Sequence, residues 1–269
     1  MSSISANFFP DHRWLCGLVD LGASVTKIEN PAGGDICRSL YISEWRIDGE
    51  STLFHAINRN KKSITVDLKD CAARAALRPL IEQADVVIFN YRPGVAQRLG
   101  LDYPSLKAMN PGLIYGEISG YGDRGPWVSR PGQDLLVQEL SGICCLNGNA
   151  SQPPLPLGLS VSDIFAGDYL VQGIIAALVH RIHAGSGCLV QVSLLETLLD
   201  LQFEVLTTWL NDGREIPSGA RSIMPTRMSR LPMASTRRIS RAGDGAAAAS
   251  GGTVGLSAIS GVFRAAKRL

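Results

Sequence analysis

No GxGxxG turn in this sequence both follows a strand-like run and opens a helix. The one match, Gly120-Tyr-Gly-Asp-Arg-Gly125, has no helical pattern after it, so the usual signal for a dinucleotide site is missing. Histidine is scarce, with four in 269 residues, and none stands at a metal-ligand spacing to a cysteine. No metal site and no permanently bound cofactor is therefore expected. The six cysteines show no paired spacing, and the neighbours Cys144 and Cys145 do not bridge each other readily. That pattern excludes a small disulfide-built module and points to a reduced, cytoplasmic enzyme. A basic leader followed by an apolar run is missing at the N-terminus, so no signal peptide is expected. The longest apolar stretch, residues 169–179, is too short to span a bilayer and reads as a buried helix, which argues against a membrane partner.

Charge is unevenly spread. Hydrophobic residues make up 45% and charged residues 19%, an ordinary globular balance with material for a core. From Arg221 to the end there are nine Lys or Arg and one acid, Asp244. Subtracting these from the totals of 26 and 24 leaves 17 basic against 23 acidic residues in the first 220. The body is thus acidic, and the positive excess sits in a tail whose arginines are scattered around a single aromatic, Phe263. That is too little aromatic interleaving for nucleic-acid binding.

Short β-branched runs alternate with helical stretches. Ala23-Ser-Val-Thr-Lys-Ile-Glu29, Ser63-Ile-Thr-Val-Asp-Leu68, Asp85-Val-Val-Ile-Phe89, Leu113-Ile-Tyr-Gly-Glu-Ile118 and Leu189-Val-Gln-Val192 read as strands. Residues 70–83 have a helical pattern with Asp70 as cap, which Pro79 should kink or divide. Pro104 should open another helix. This alternation predicts an α/β fold with a Rossmann-like, mainly parallel sheet flanked by helices. Ligands in such sheets gather at the carboxyl ends of strands, where the polar segments 29–38, 90–98 and 119–122 fall.

One carboxylate, Asp163, stands at the mouth of a long apolar helix opened by Gly158-Leu-Ser-Val-Ser-Asp163-Ile-Phe-Ala-Gly167. Taken alone it reads as a residue that stabilises the helix macrodipole. Asp168, five residues on, reads as an ordinary solvated helix acid. Arg38, Lys69, Asn90 and Arg98, each taken singly, read as surface polar groups.

Taken together and in order, several segments resemble the class III CoA-transferases of the formyl-CoA and carnitine CoA-transferase type. They are Lys27-Ile-Glu-Asn-Pro-Ala-Gly-Gly-Asp35-Ile-Cys-Arg38, Asn58-Arg-Asn-Lys-Lys-Ser-Ile-Thr-Val-Asp-Leu-Lys69, Asn90-Tyr-Arg-Pro-Gly-Val-Ala-Gln-Arg98, Ile118-Ser-Gly-Tyr-Gly122, the stretch around Asp163, and His183-Ala-Gly-Ser-Gly187. The resemblance runs from about residue 20 to about residue 221. It implies that Asp163 is a nucleophile that accepts CoA as an aspartyl thioester, with backbone N–H groups near the helix start as oxyanion donors. It also implies that Arg38, Lys69, Asn90 and Arg98 hold the phosphates of coenzyme A. The substrates would be an acyl-CoA and a carboxylic acid, and intact relatives are interlocked homodimers. Tyr121 would line the thioester site, or else pack as an aromatic of its own turn. Gln133 stands where related racemases carry a histidine and many transferases a tyrosine, so it speaks against α-proton shuttling and leaves the acid undefined.

The likeness stops at both ends. Residues 1–13 look unlike the family's opening, so its first strand and CoA loop are expected to be missing or garbled. The catalytic domain is expected over residues 14–220 and a low-complexity basic tail over residues 221–269. One permitted codon choice for Met224-Pro-Thr-Arg-Met-Ser-Arg-Leu-Pro-Met-Ala-Ser-Thr236, shifted by two nucleotides, resembles the family's entry into its small domain. An out-of-frame tail is the sharper expectation, set against simple disorder. Two alternatives to CoA transfer stay open here, an acyl-CoA racemase and a non-catalytic truncated product.

Overall fold

A computed structural model describes residues 5–8, 16–40, 45–147, 153–212 and 253–255. The chain forms two compact units, and the expected span 14–220 crosses both. The first unit comprises residues 1–118, 167–191 and 251–269, and the second residues 119–166 and 192–250.

In the first unit the chain runs through β1 (Ser5–Phe8), α1 (Cys16–Asp20), β2 (Ser24–Glu29), the short pair β3 (Arg46–Ile47) and β4 (Glu50–Ser51), α2 (Thr52–Asn58) and β5 (Lys62–Thr65). It continues through α3 (Cys71–Ala75), α4 (Arg78–Gln83), β6 (Val86–Phe89), α5 (Val95–Leu99), α6 (Tyr103–Met109) and β7 (Ile114–Ser119). As expected, the helical stretch after β5 is divided, and Pro79 stands in the first turn of its second half. Pro104 likewise opens α6, where its missing N–H costs nothing.

The sheet order is β5-β2-β1-β6-β7 and then two later strands, β8 (Leu189–Ser193) and β9 (Thr253–Gly255). The pairings of β1 with β2 and β6, of β2 with β5, of β6 with β7 and of β8 with β9 are parallel. In order of appearance along the chain this is the doubly wound arrangement, and it changes direction between β1 and β6. Val86-Val-Ile-Phe89 is buried throughout, as a central parallel strand covered on both faces must be. Val87, Phe89 and Tyr115 pack with Leu77, Ile81 and Leu106 of the α4 and α6 layer.

The opposite face meets α8 (Val161–Ala184), whose part from Gly167 onward belongs to this unit. A methyl group on Gly116 of β7 would lie 3.0 Å from Ile88 and 3.2 Å from Leu170, and one on Gly173 2.6 Å from Val190. Those glycines let helix and sheet approach closely. By length and composition α8 could cross a membrane, and it exceeds the apolar stretch 169–179. Its buried residues Ala166, Leu170, Ile174 and Ala177 recur at helical spacing, the pattern of a core helix.

Two observations bear on the chain ends. The first strand is present, as β1 lies hydrogen-bonded between β2 and β6. Ser-Ala-Asn-Phe holds no β-branched residue and a single aromatic, so only its pairing reveals it. Within residues 221–269, Thr253–Gly255 adds strand β9 beside β8. The rest of that segment, and residues 9–15, lie outside the described residues.

In the second unit α7 (Asp134–Ser141) packs with α9 (Leu194–Leu201), and α10 (Phe203–Asp212) follows. The buried Gln202 amide donates to the carbonyls of Ser141 (3.2 Å) and Leu198 (2.9 Å), tying the ends of α7 and α9 together.

Candidate active site

Because strands β2, β5 and β6 belong to one parallel set, the segments that leave their carboxyl ends emerge at one edge of the sheet. Arg38 follows β2, Lys69 follows β5, and Asn90 directly follows β6 beside the change of direction. Arg98 stands in the last turn of α5. Lys69 and Arg98 are exposed, and Asn90 is half-buried.

The segment after β2 is built around buried charge. Glu29 accepts two bonds from Arg38, from Nε and Nη2, both at 3.0 Å. It also accepts from the Ser63 hydroxyl (2.6 Å) and the Asp35 backbone N–H (2.9 Å). Burial opposes its ionisation, yet the bonds from Arg38 and Ser63, with the charges of Arg38 and Lys27, hold its carboxyl below the ordinary range. Lys27 pairs with buried Asp35 and donates to Asn58 (3.1 Å). Asp35 in turn caps the short turn Ile36–Arg38 through the Cys37 N–H (2.8 Å). Gly34 has a φ of +68°, and a Cβ there would lie 2.8 Å from Glu29 Oε2. The Gly-Gly-Asp-Ile-Cys-Arg38 pattern is therefore a folding requirement of this loop.

Arg38 is only partly available to a ligand. Besides its fork on Glu29 it donates from Nη1 to Glu50, and its guanidinium lies 4.0 Å from the centre of the Phe54 ring. Three of its five N–H donors are engaged, and the side chain is 31% exposed.

In the second unit, Asp163 stands half-buried in the first turn of α8, where the helix dipole favours a carboxylate. The start of that helix is secured from α7. Asp134 Oδ1 accepts both the backbone N–H of Ser162 (2.8 Å) and its hydroxyl (2.6 Å). Asp134 Oδ2 accepts from Gln138 Nε2 (2.6 Å). Gln138 also donates to the Leu159 carbonyl (3.0 Å) and accepts from the Leu157 N–H (2.9 Å). Asp134, Gln138 and Ser162 are all buried.

Gln133 and Asp163 are each next in sequence to one partner of the Asp134–Ser162 pair. Gln133 is exposed at the start of α7 and makes no side-chain cap bond. Tyr121 is held within its own loop. Its hydroxyl donates to the Pro131 carbonyl (3.4 Å), and its ring meets Trp127 edge-on with centroids 5.7 Å apart. The ends of that loop touch, since a Cβ on Gly120 would fall 2.6 Å from the Gly132 Cα.

Three first-turn donors are already committed. Val161 N–H reaches the Leu159 carbonyl, Ser162 N–H reaches Asp134, and Ile164 N–H reaches the Ser160 carbonyl. These three are therefore unavailable as oxyanion donors. Asp134, Gln138 and Glu29 escaped the sequence reading. Nothing in the spacing around Asp134 announces a partner 28 positions away.

The sequence pattern of CoA-transferase family III matches residues 15–255. The chain is 40% identical over 209 residues to an acyl-CoA transferase of Fusarium pseudograminearum, a match covering 74% of this chain and 45% of that protein. It is 41% identical over 195 residues to a succinate–glutarate CoA-transferase of Agrobacterium fabrum, covering 70% of this chain and 47% of that one. A crystal structure of a CAIB/BAIF family protein from Brucella suis superposes with a TM-score of 0.75 at 35% identity, covering 80% of this chain and 58% of the other. The chain spans about half the length of the curated relatives it matches.

Proposed function

Because the chain belongs to CoA-transferase family III, we propose that it transfers CoA from an acyl-CoA thioester to a carboxylic acid, with Asp163 as the nucleophile. The supporting observation is the setting of Asp163, a half-buried carboxylate in a helix start secured by a buried polar network. Its carboxylate attacks the thioester carbonyl, the C–S bond breaks, and CoA leaves as thiolate. The thiolate then attacks the aspartyl carbonyl of the resulting anhydride. This frees the first acid as its carboxylate and leaves CoA on Asp163 as a thioester. The second acid reverses these two steps and leaves as the new acyl-CoA. Splitting the exchange in this way replaces one difficult displacement by several easier ones, with no net hydrolysis.

Coenzyme A carries a 3′-phosphate and a pyrophosphate, which suit guanidinium, ammonium and amide donors. Lys69, Asn90 and Arg98 would serve them directly, and Arg38 through the donors its carboxylate partners leave over. Gln133 and Tyr121 would face the acid. An α-proton shuttle has no second base at position 133, because an amide does not exchange that proton. A cytoplasmic, homodimeric enzyme completes the proposal.

Asp163→Ala should abolish CoA exchange, by about 10³-fold or more, together with the hydroxylamine-sensitive enzyme thioester. Transfer that survives in that variant would sink the assignment.

A further inference from the structure

We infer that Asp134 is a positioning residue, which orients the Asp163 carboxylate by holding the first turn of α8. The inference rests on Asp163 being the nucleophile. By sequence Asp134 belongs to α7, yet its side chain is spent on another helix. Both Ser162 donors converge on its Oδ1 at 2.8 and 2.6 Å, and Ser162 is the residue immediately before Asp163. One turn along α7, Gln138 grips the approach to α8 at Leu157 and Leu159, and it braces Asp134 Oδ2. The start of α8 is therefore tied at three backbone positions by two side chains of a single helix face.

A clamp of this kind fixes the rotation of the first turn about the helix axis, which sets where an Asp163 oxygen points. Direction matters here because an attacking oxygen must approach the thioester carbonyl along a narrow path, and a displacement of about 1 Å can cost about 10²-fold in rate. The carboxylate is required and an amide will not substitute. Asn at 134 would turn an N–H either toward Ser162 or toward the Gln138 amide, and both of those present donors.

The test uses the full chain with Asp134→Asn and Ser162→Ala. Three readouts are taken: kcat and KM for CoA exchange, the enzyme thioester on Asp163 by mass spectrometry, and amide hydrogen exchange over residues 161–164. Asp134→Asn should lower kcat about 10- to 100-fold with KM within about twofold, and speed exchange over those residues. Ser162→Ala keeps one of the two bonds and should lower kcat several-fold. If the unsubstituted chain forms the thioester and Asp134→Asn retains its kcat, the inference is overturned while Asp163 keeps its role. An equal rise in KM with kcat unchanged overturns it as well. If Asp134→Asn does not yield folded protein, unchanged kcat and unchanged exchange in Ser162→Ala overturn it. If the unsubstituted chain forms no thioester, the reading of Asp163 falls and the inference falls with it.

Discussion

Gly185 and Gly187 lie two residues apart in one turn, yet a methyl group would meet different obstacles at each. At Gly185 the space is open and the obstacle is conformational, with φ at +70° where the helix ends. Gly185→Ala should cost about 1 kcal/mol. At Gly187 a Cβ would sit 1.9 Å from the Leu113 carbonyl oxygen, so backbone has to move. Gly187→Ala should cost about 3 kcal/mol or more, and paired urea melts will rank the two. Glu29 supplies a pH dependence at the same scale. Its folded pKa is depressed, so its stabilising contribution is present above the ordinary glutamate value and is lost as pH falls through the folded value. Glu29→Gln should therefore flatten the acid limb of a stability–pH curve and leave its alkaline side unchanged in shape.

At the scale of elements, α8 divides into a buried and an exposed face. Leu170 is fully buried beside Gly116, whereas Ile175 is 41% exposed. Leu170→Ala should cost about 2–5 kcal/mol and Ile175→Ala less than about 1 kcal/mol by chemical denaturation. Strands β2, β6, β7 and β8 were legible because β-branched residues mark their runs, and the break at Pro79 followed from ring geometry alone. Strand β1 was not legible, because Ser5–Phe8 gains its identity only from two neighbours in the sheet. Asp163 at the head of α8 was legible from the polar residues before an apolar run. The Asp134–Ser162 bond was not, since a side chain aimed at another helix leaves no mark on its own helix's spacing. Arg38 was legible as a basic motif residue, but its engagement by Glu29 and Glu50 depends on how the loop returns to the sheet.

For the whole molecule, the expected α/β class and parallel sheet are those observed, with the strand order of a doubly wound fold. The homodimer belongs to the proposal made above and is tested at this scale. Sedimentation equilibrium should then give about twice the chain mass of 28.8 kDa, and a species at the single-chain mass would count against it. Burial also sorts the thiols of the chain. Five of the six cysteines are buried and only Cys71 is exposed, at the start of α3 and two residues after Lys69. Burial further pushes the Cys144 and Cys188 thiols up, away from the reactive thiolate form. A maleimide fluorophore applied to the native chain therefore marks one address without any engineering, next to a residue proposed to hold phosphate. The fold thus carries its own attachment point for an optical titration of CoA.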